Sequence, residues 1–118
     1  MKLDNLLEQI SQEPESIEFN QVISVIDHYY QYRPTKFKNG LGEAAVENQA
    51  GTNEGSCKIF YFAKLHQLDH QATLHCFGTY YREDVLENPG AESHQNIRRF
   101  MIDGMDGIEF SGEALVAK

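Results

Sequence analysis

Apolar residues that recur at helical spacing are the feature that most constrains how this chain can fold. In five segments they recur three or four residues apart, which places them on one face of a helix. The first two segments contain Leu3, Leu6, Leu7 and Ile10, and then Phe19, Val22, Ile23 and Ile26. The later three contain Ile59, Phe62, Ala63 and His66; Leu74, Phe77, Tyr81 and Val85; and Ile97, Phe100 and Met101. Five amphipathic helices are therefore predicted.

The ends of these segments carry the residues that stop and start helices. Pro14 and Pro34 follow the first two segments, and the residue before a proline is disfavoured in the α region. Ser56, Asp69 and Ser93 precede the other three as expected N-caps, because their side-chain oxygens can accept from free backbone amides. The helix that starts at Asp69 is expected to continue to about residue 87.

A chain of 118 residues has the size of one domain and can bury a core without disulfides. We therefore predict a mainly all-α fold, a compact bundle of about five helices in one domain spanning residues 1–118. Residues 35–55 are rich in glycine and asparagine and show no helical or strand period, so a long loop is expected there. This loop either has a function of its own or only connects two helices. Residues 108–110 are expected to form a short extended segment.

The net charge and the lack of a secretory leader pattern restrict the expected partners and compartment. The chain has 18 acidic and 10 basic residues and a net charge of −8. Such a surface repels phosphate groups, so we expect no binding to nucleic acid or to an anionic membrane. There are two cysteines, no secretory leader pattern at the start and no apolar run approaching the ~20 residues of a membrane helix. These features predict a cytoplasmic protein with reduced thiols.

The stretch from Gly51 to Lys58 is a candidate anion site. A glycine loop opens directly into a helix start, where free amides and the helix dipole attract negative charge. Its candidate ligand-binding residues are Asn53, Glu54, Ser56 and Lys58. It is not a P-loop, since a P-loop has its lysine directly after the second glycine. The alternative is a capped helix start with no ligand.

A second group of polar residues lies further along the chain. It contributes the candidates Arg82, His94, Asn96 and Arg98. If these side chains converge with the 53–58 loop, they form a cleft for an acidic group. The alternatives are salt bridges to neighbouring helices, or a hydrogen-bond network that holds the long loop in place.

The histidines and cysteines permit two further interpretations. Weak metal candidates are His66, His70, His75, Cys57 and Cys76, but no CxxC spacing supports a zinc site. Alternatively, Cys57 is a nucleophile whose pKa is lowered by the helix start beside it. Against both, the cysteines serve as small buried apolar residues and the histidines as surface or capping groups.

Between Phe19 and Leu115 the chain resembles the HopJ type III effector family. The matching strings lie at residues 27–30, 53–58, 76–78, 80–82, 84–86, 94–98 and 106–108, where the sequence reads DHYY, NEGSCK, CFG, YYR, DVL, HQNIR and DGI. The resemblance implies a bacterial protein, located in the cytoplasm or secreted into host cells by type III secretion. It carries over no catalytic residue and no cofactor.

These observations lead to two expectations for function. The first is a non-catalytic, effector-like protein-interaction module, expected as a monomer, whose partner is a host or bacterial protein. The alternative is a cytosolic protein that binds a small anionic ligand, or a metal, at the Asn53–Lys58 loop and the Arg82/His94–Arg98 patch. An interaction module predicts an exposed apolar patch, whereas a ligand-binding protein predicts a cleft where the candidate residues meet.

Overall fold

The helical periodicity of the sequence produces five α-helices in the computed structural model, which describes residues 1–118. They are α1 (Leu3–Gln12), α2 (Phe19–Tyr29), α3 (Glu54–His66), α4 (His70–His75) and α5 (Gln95–Asp103). Three short 3-10 helices (Pro14–Ser16, Gly42–Ala44 and Gly104–Gly107) and one π-helix (Tyr80–Val85) complete the helical part. None of the helices has both the length and the apolar character that crossing a bilayer requires.

The chain also forms five strands, so the prediction of an all-α bundle is wrong and the fold is mixed α/β. The strands are β1 (Tyr30–Tyr32), β2 (Phe37–Asn39), β3 (Val46–Asn48), β4 (Ile108–Phe110) and β5 (Leu115–Ala117). β1 pairs with β5, and β3, β2 and β4 form a second antiparallel sheet in that order. Each strand has three residues, which is too short to show the period of two that identifies a strand.

Residues 35–55 are therefore not one long loop. β2 pairs with β3 in a local register that sets Phe37 opposite Asn48, and with β4 in a distant register that sets Phe37 opposite Phe110. The expected extended segment at residues 108–110 is confirmed as β4. It provides the partner that orders this stretch.

The first two helices are confirmed, although α2 ends at Tyr29, before strand β1, and not at Pro34. The later boundaries also differ from the prediction. Asp69 caps α4 by accepting from the Ala72 amide at 2.8 Å. However, α4 ends at His75 rather than near residue 87. Gly78 follows with φ +61°, and a Cβ there would lie 2.7 Å from the Phe19 backbone nitrogen. The close approach of α2 thus requires a glycine turn that interrupts the predicted helix.

The core is built around α3. Five of its consecutive residues from Ile59 to Ala63 are buried, so the helix is covered on nearly all sides. The Phe60 ring stacks on Phe100 at 5.0 Å and lies 6.1 Å from Phe37. One aromatic side chain therefore connects α3 to α5 and to the three-stranded sheet.

Three buried asparagines and an exposed fourth, here called the amide network, join the sheet to two helix starts. Its members are Asn39 on β2, Asn48 on β3, Asn53 before α3 and Asn96 in α5. Asn39 and Asn48 donate to Asn96 Oδ1 at 3.0 and 3.1 Å, and Asn96 donates back to Asn48 Oδ1 at 2.9 Å. Asn53 also donates to Asn48 Oδ1, at 2.7 Å. The hydrogen-bond network expected as an alternative for this polar stretch is thus present.

The amide network predicts a large loss of stability when its centre is removed. We expect Asn96→Ala to lower the free energy of unfolding by about 2–4 kcal/mol, because it removes the three buried hydrogen bonds that join the Asn96 side chain to Asn39 and Asn48. Urea unfolding followed by circular dichroism measures this. Asn5→Ala, at an exposed position in α1, is the control and should change stability by less than about 0.5 kcal/mol. Equal losses in the two variants would contradict the role of the network.

Candidate functional site

The largest cavity, of about 450 Å³, lies where the first turns of α3 and α5 face the start of α2, and we call it the three-helix cavity. Its lining residues are Phe19, Val46, Asn53, Gly55, Ser56, Phe77, Tyr80, His94, Gln95, Asn96 and Ile97. The Phe19 ring packs directly on Gly55, where an added Cβ would lie 2.7 Å from Phe19 Cζ. Glycine at this position therefore permits the contact that closes one side of the cavity.

Both helices that open onto the cavity begin at a residue in the left-handed conformation. Asn53 precedes α3 with φ 49°, and His94 precedes α5 with φ 53°. Neither side chain hydrogen-bonds to the first turn of its helix. The expected N-caps Ser56 and Ser93 are therefore wrong, and α3 begins three residues earlier than predicted.

The missing side-chain caps leave amide donors available at the cavity. The first i→i−4 hydrogen bonds begin at Cys57 in α3 (3.0 Å) and at Arg98 in α5 (3.1 Å), each to the carbonyl of the residue before the helix. The amides of residues 54–56 and 95–97 therefore have no carbonyl four residues earlier in their own helix. Each helix start also carries about half a unit of positive charge. Two such starts at one cavity favour an anionic group.

Aromatic rings also line the cavity. The ring of Tyr80, at the start of the π-helix, meets Phe19 edge-on at 5.1 Å. The His94 ring lies 5.3 Å from Tyr80, and its Nε2 is 3.1 Å from Asp84 Oδ2. Phe77 lies behind Phe19 at 6.5 Å. The cavity is thus lined both by polar residues of the two helix starts and by aromatic rings.

Four of the eight candidate residues meet at the three-helix cavity. Asn53, Ser56, His94 and Asn96 line it. Asn53 and Asn96 also belong to the amide network, so they position the two helix starts as well as facing the cavity.

The other four candidates have contacts elsewhere. The Lys58 ammonium is 2.8 Å from Asp27 and lies over the Tyr32 ring. Arg98 donates to the carbonyl of Asn88 at 2.9 Å. Glu54 lies on the side of α3 that faces Tyr32. Burial raises the pKa of the Tyr32 hydroxyl, and the negative charge of Glu54 raises it further.

Arg82 is bound to the connection between α1 and α2. It donates to the carbonyl oxygens of Pro14 and Ile17 and contacts His75. No lysine or arginine therefore lines the cavity, so the donors it offers to an anion are backbone amides and uncharged side chains.

Several cavity residues were not singled out from the sequence. Phe19 and Ile97 lie at helical spacing that assigns them only to the core. Gln95 lies between two chosen residues, and Tyr80 lies two residues before Arg82. Val46 belongs to a strand that the sequence pattern does not reveal. Only the tertiary arrangement brings them together.

The cysteines do not have the properties expected of nucleophiles. Both are buried. Burial raises the pKa of the Cys57 thiol to about 11 and that of Cys76 to about 12. The expectation that the helix start lowers the Cys57 pKa is wrong, because loss of hydration outweighs the dipole. Neither thiol lines the cavity.

The histidines suggested as metal ligands have separate environments. His66 Nε2 lies 2.7 Å from the Tyr30 hydroxyl, and burial lowers the His66 pKa. His70 stacks on Phe100 at 5.2 Å. Burial and then the charge of Arg82 lower the pKa of His75. No three histidine, cysteine, aspartate or glutamate side chains are grouped so that they could hold a metal ion.

Comparison with known proteins adds the family. A family model described as HopJ type III effector protein matches residues 3–115. The fold is similar to the crystal structure of a protein of unknown function, VPA0580, with a TM-score of 0.95. The two sequences are 47% identical, and the alignment covers all of this chain and 95% of the other. No curated protein matches the sequence.

The raised thiol pKa values predict slow cysteine chemistry in the folded protein. At pH 8, a thiol of pKa 9 is about one-tenth ionised, whereas a pKa of about 11 lowers the thiolate fraction roughly a hundredfold. We expect Ellman's reagent to react at least about a hundredfold more slowly with native protein than with protein unfolded in urea. The single variants Cys57→Ser and Cys76→Ser assign the signal to each thiol. Rapid reaction of Cys57 in the native protein would restore the nucleophile hypothesis.

Proposed function

This chain belongs to the HopJ type III effector protein family, and we propose that it acts by binding a small anionic ligand in the three-helix cavity. Family membership supports an effector-like protein. The observation that carries the ligand proposal is the meeting of two uncapped helix starts at one cavity.

The geometry indicates the class of ligand. Two helix starts together supply about one unit of positive charge, which suits a single carboxylate or a singly charged phosphate ester. A polyanion such as a nucleoside triphosphate is disfavoured, because no cationic side chain lines the cavity. Phe19 and Tyr80 offer a surface for an aromatic or aliphatic body. The ligand is therefore a small organic acid with an apolar part.

Binding rather than catalysis is favoured by the state of the reactive groups. Both thiols are buried, with pKa values well above neutral pH. The imidazole of His94 faces the carboxylate of Asp84 at 3.1 Å. The side chains that face the cavity can accept or donate hydrogen bonds to a ligand and hold it in place.

Benzoate is a suitable first probe, because it joins one carboxylate to one ring. We expect benzoate to shift the amide NMR signals of Gly55, Ser56, Gln95 and Asn96, whereas neutral benzyl alcohol should not. Gly55→Ala should weaken benzoate binding about tenfold or more, because the added methyl displaces Phe19.

The matched control is Gly90→Ala, where an added Cβ meets no atom within 4 Å, so binding should not change. Tyr80→Ala, at a partly exposed position, removes the ring without the helix change of Gly55→Ala and should also weaken binding. Equal shifts with benzyl alcohol, or shifts distant from α3 and α5, would disprove anion binding here.

A protein-interaction module is the second candidate function. It is favoured by three exposed apolar side chains, Leu86, Met101 and Ile102, which line one groove. Isolated apolar residues are common on protein surfaces, whereas a contiguous apolar groove is typical of a docking surface. This groove is separate from the three-helix cavity, so the two candidate functions can be tested independently.

The effector proposal is tested by translocation. A reporter fused to the C-terminus should enter host cells from a strain with an active type III secretion system and not from a secretion-defective strain. Because α1 buries Leu6 and Ile10, we expect that transfer requires this helix to leave the core. Leu6→Asp should loosen α1 and leave transfer intact or increase it. Absence of transfer from the competent strain would exclude an exported role.

A further inference from the structure

A second groove lies between α5 and the segment that follows the π-helix. We call it the outer groove. Its volume is about 240 Å³, and it is lined by Val85, Leu86, Pro89, Arg98, Met101 and Ile102. Leu86 is 47% exposed and Ile102 67% exposed. One wall is α5 and the other is the segment that follows the π-helix.

Arg98 holds the two walls together. Its guanidinium donates to the carbonyls of Asn88 at 2.9 Å and of Pro89 at 3.4 Å, and its Nε donates to the carbonyl of Ser93. These bonds tie the segment to α5, so the groove is formed before any partner arrives. These bonds also engage Arg98, which is the only cationic side chain in the groove. The charge that a partner meets at this surface is therefore set by neighbouring residues.

The neighbouring residues are acidic. At Ile102 the outer groove meets a second concavity of about 410 Å³ that contains Asp69, Asp103 and Asp106. Asp103 is 3.4 Å from Arg99, whereas neither Asp69 nor Asp106 has a lysine or arginine within ion-pair distance. An apolar surface therefore continues into an acidic one, in which Asp69 caps α4 and Asp106 has no cationic partner.

We propose that the outer groove and this acidic concavity together bind a basic amphipathic helix of a partner protein. This inference rests on the interaction role proposed above. Apolar residues of the partner helix cover Leu86, Met101 and Ile102, and its lysines or arginines face Asp69 and Asp106. Such a helix in a groove is a common recognition mode, and opposite charge selects among apolar helices.

Charge complementarity decides between the possible occupants. A second copy of this chain carries the same net charge of −8, so its approach is repelled. An anionic membrane surface is repelled for the same reason. A basic helix gains from both the apolar and the acidic part of the surface.

The probe is a 14-residue amphipathic peptide of leucine and lysine, and its matched control carries glutamate in place of every lysine. Calorimetry should detect binding of the lysine peptide only, and affinity should fall roughly tenfold when salt screens the surface charges. Ile102→Ser and Asp106→Lys should each weaken binding about tenfold. Leu65→Ser, an exposed leucine outside the groove, and Glu8→Lys, an equal charge change on α1, should not.

Each of the following results would contradict a part of the proposal. If both peptides bind equally, apolar docking stands and the basic partner is wrong. If neither binds, the interaction role of this groove fails as well. If Glu8→Lys weakens binding as much as Asp106→Lys, only net charge matters and the assigned place is wrong. Dimers that disappear in Ile102→Ser, measured by sedimentation, would instead identify a second copy as the occupant.

Discussion

The hydrogen bonds of the Asn96 side chain are the interaction on which the rest of this structure depends. Its oxygen accepts from Asn39 and Asn48, and its nitrogen donates to Asn48. A buried amide that loses its partner costs about 1–3 kcal/mol, so these side chains are stable only when they are all in place. Because Asn53 joins the same network, the start of α3 and the start of α5 are held beside each other. The three-helix cavity is a consequence of that arrangement.

The two helix starts give up ordinary stabilisation to reach this geometry. A side-chain N-cap contributes about 1 kcal/mol, and neither Asn53 nor His94 makes one. Both residues have positive φ, which asparagine and histidine tolerate better than most residues. Their side chains are directed to Asn48 and Asp84 instead. Uncapped amides beside a cavity are therefore built into the fold, and in the proposed function a ligand anion accepts from them.

The sequence predicts those parts of the fold that depend on neighbours along the chain. Helices α1 and α2 show regular apolar spacing, and Asp69 is a strong cap, so all three are confirmed. The strands depend on partners far away in the sequence, as in the pairing of Phe37 with Phe110. A strand of three residues is also too short to show an alternation of apolar and polar side chains. The same limit applies to the site. Asn53 and Asn96 stand out as polar residues at helix starts, whereas Phe19 reaches the cavity only through tertiary packing.

The basic residues show why the anion proposal rests on the backbone. The sequence suggests Lys58, Arg82 and Arg98 as anion-binding groups, yet each closes a connection within the fold. Arginine can donate to several carbonyl oxygens at once. In this chain of net charge −8, the few arginines use these donors to hold loops in place. Arg98 does so next to the outer groove, and the Asp106 carboxylate in the adjoining concavity has no lysine or arginine partner. Helix α5 therefore presents free amides at its first turn and apolar side chains beside acids at its last. An anion suits the first of these ends, and a cationic partner suits the second.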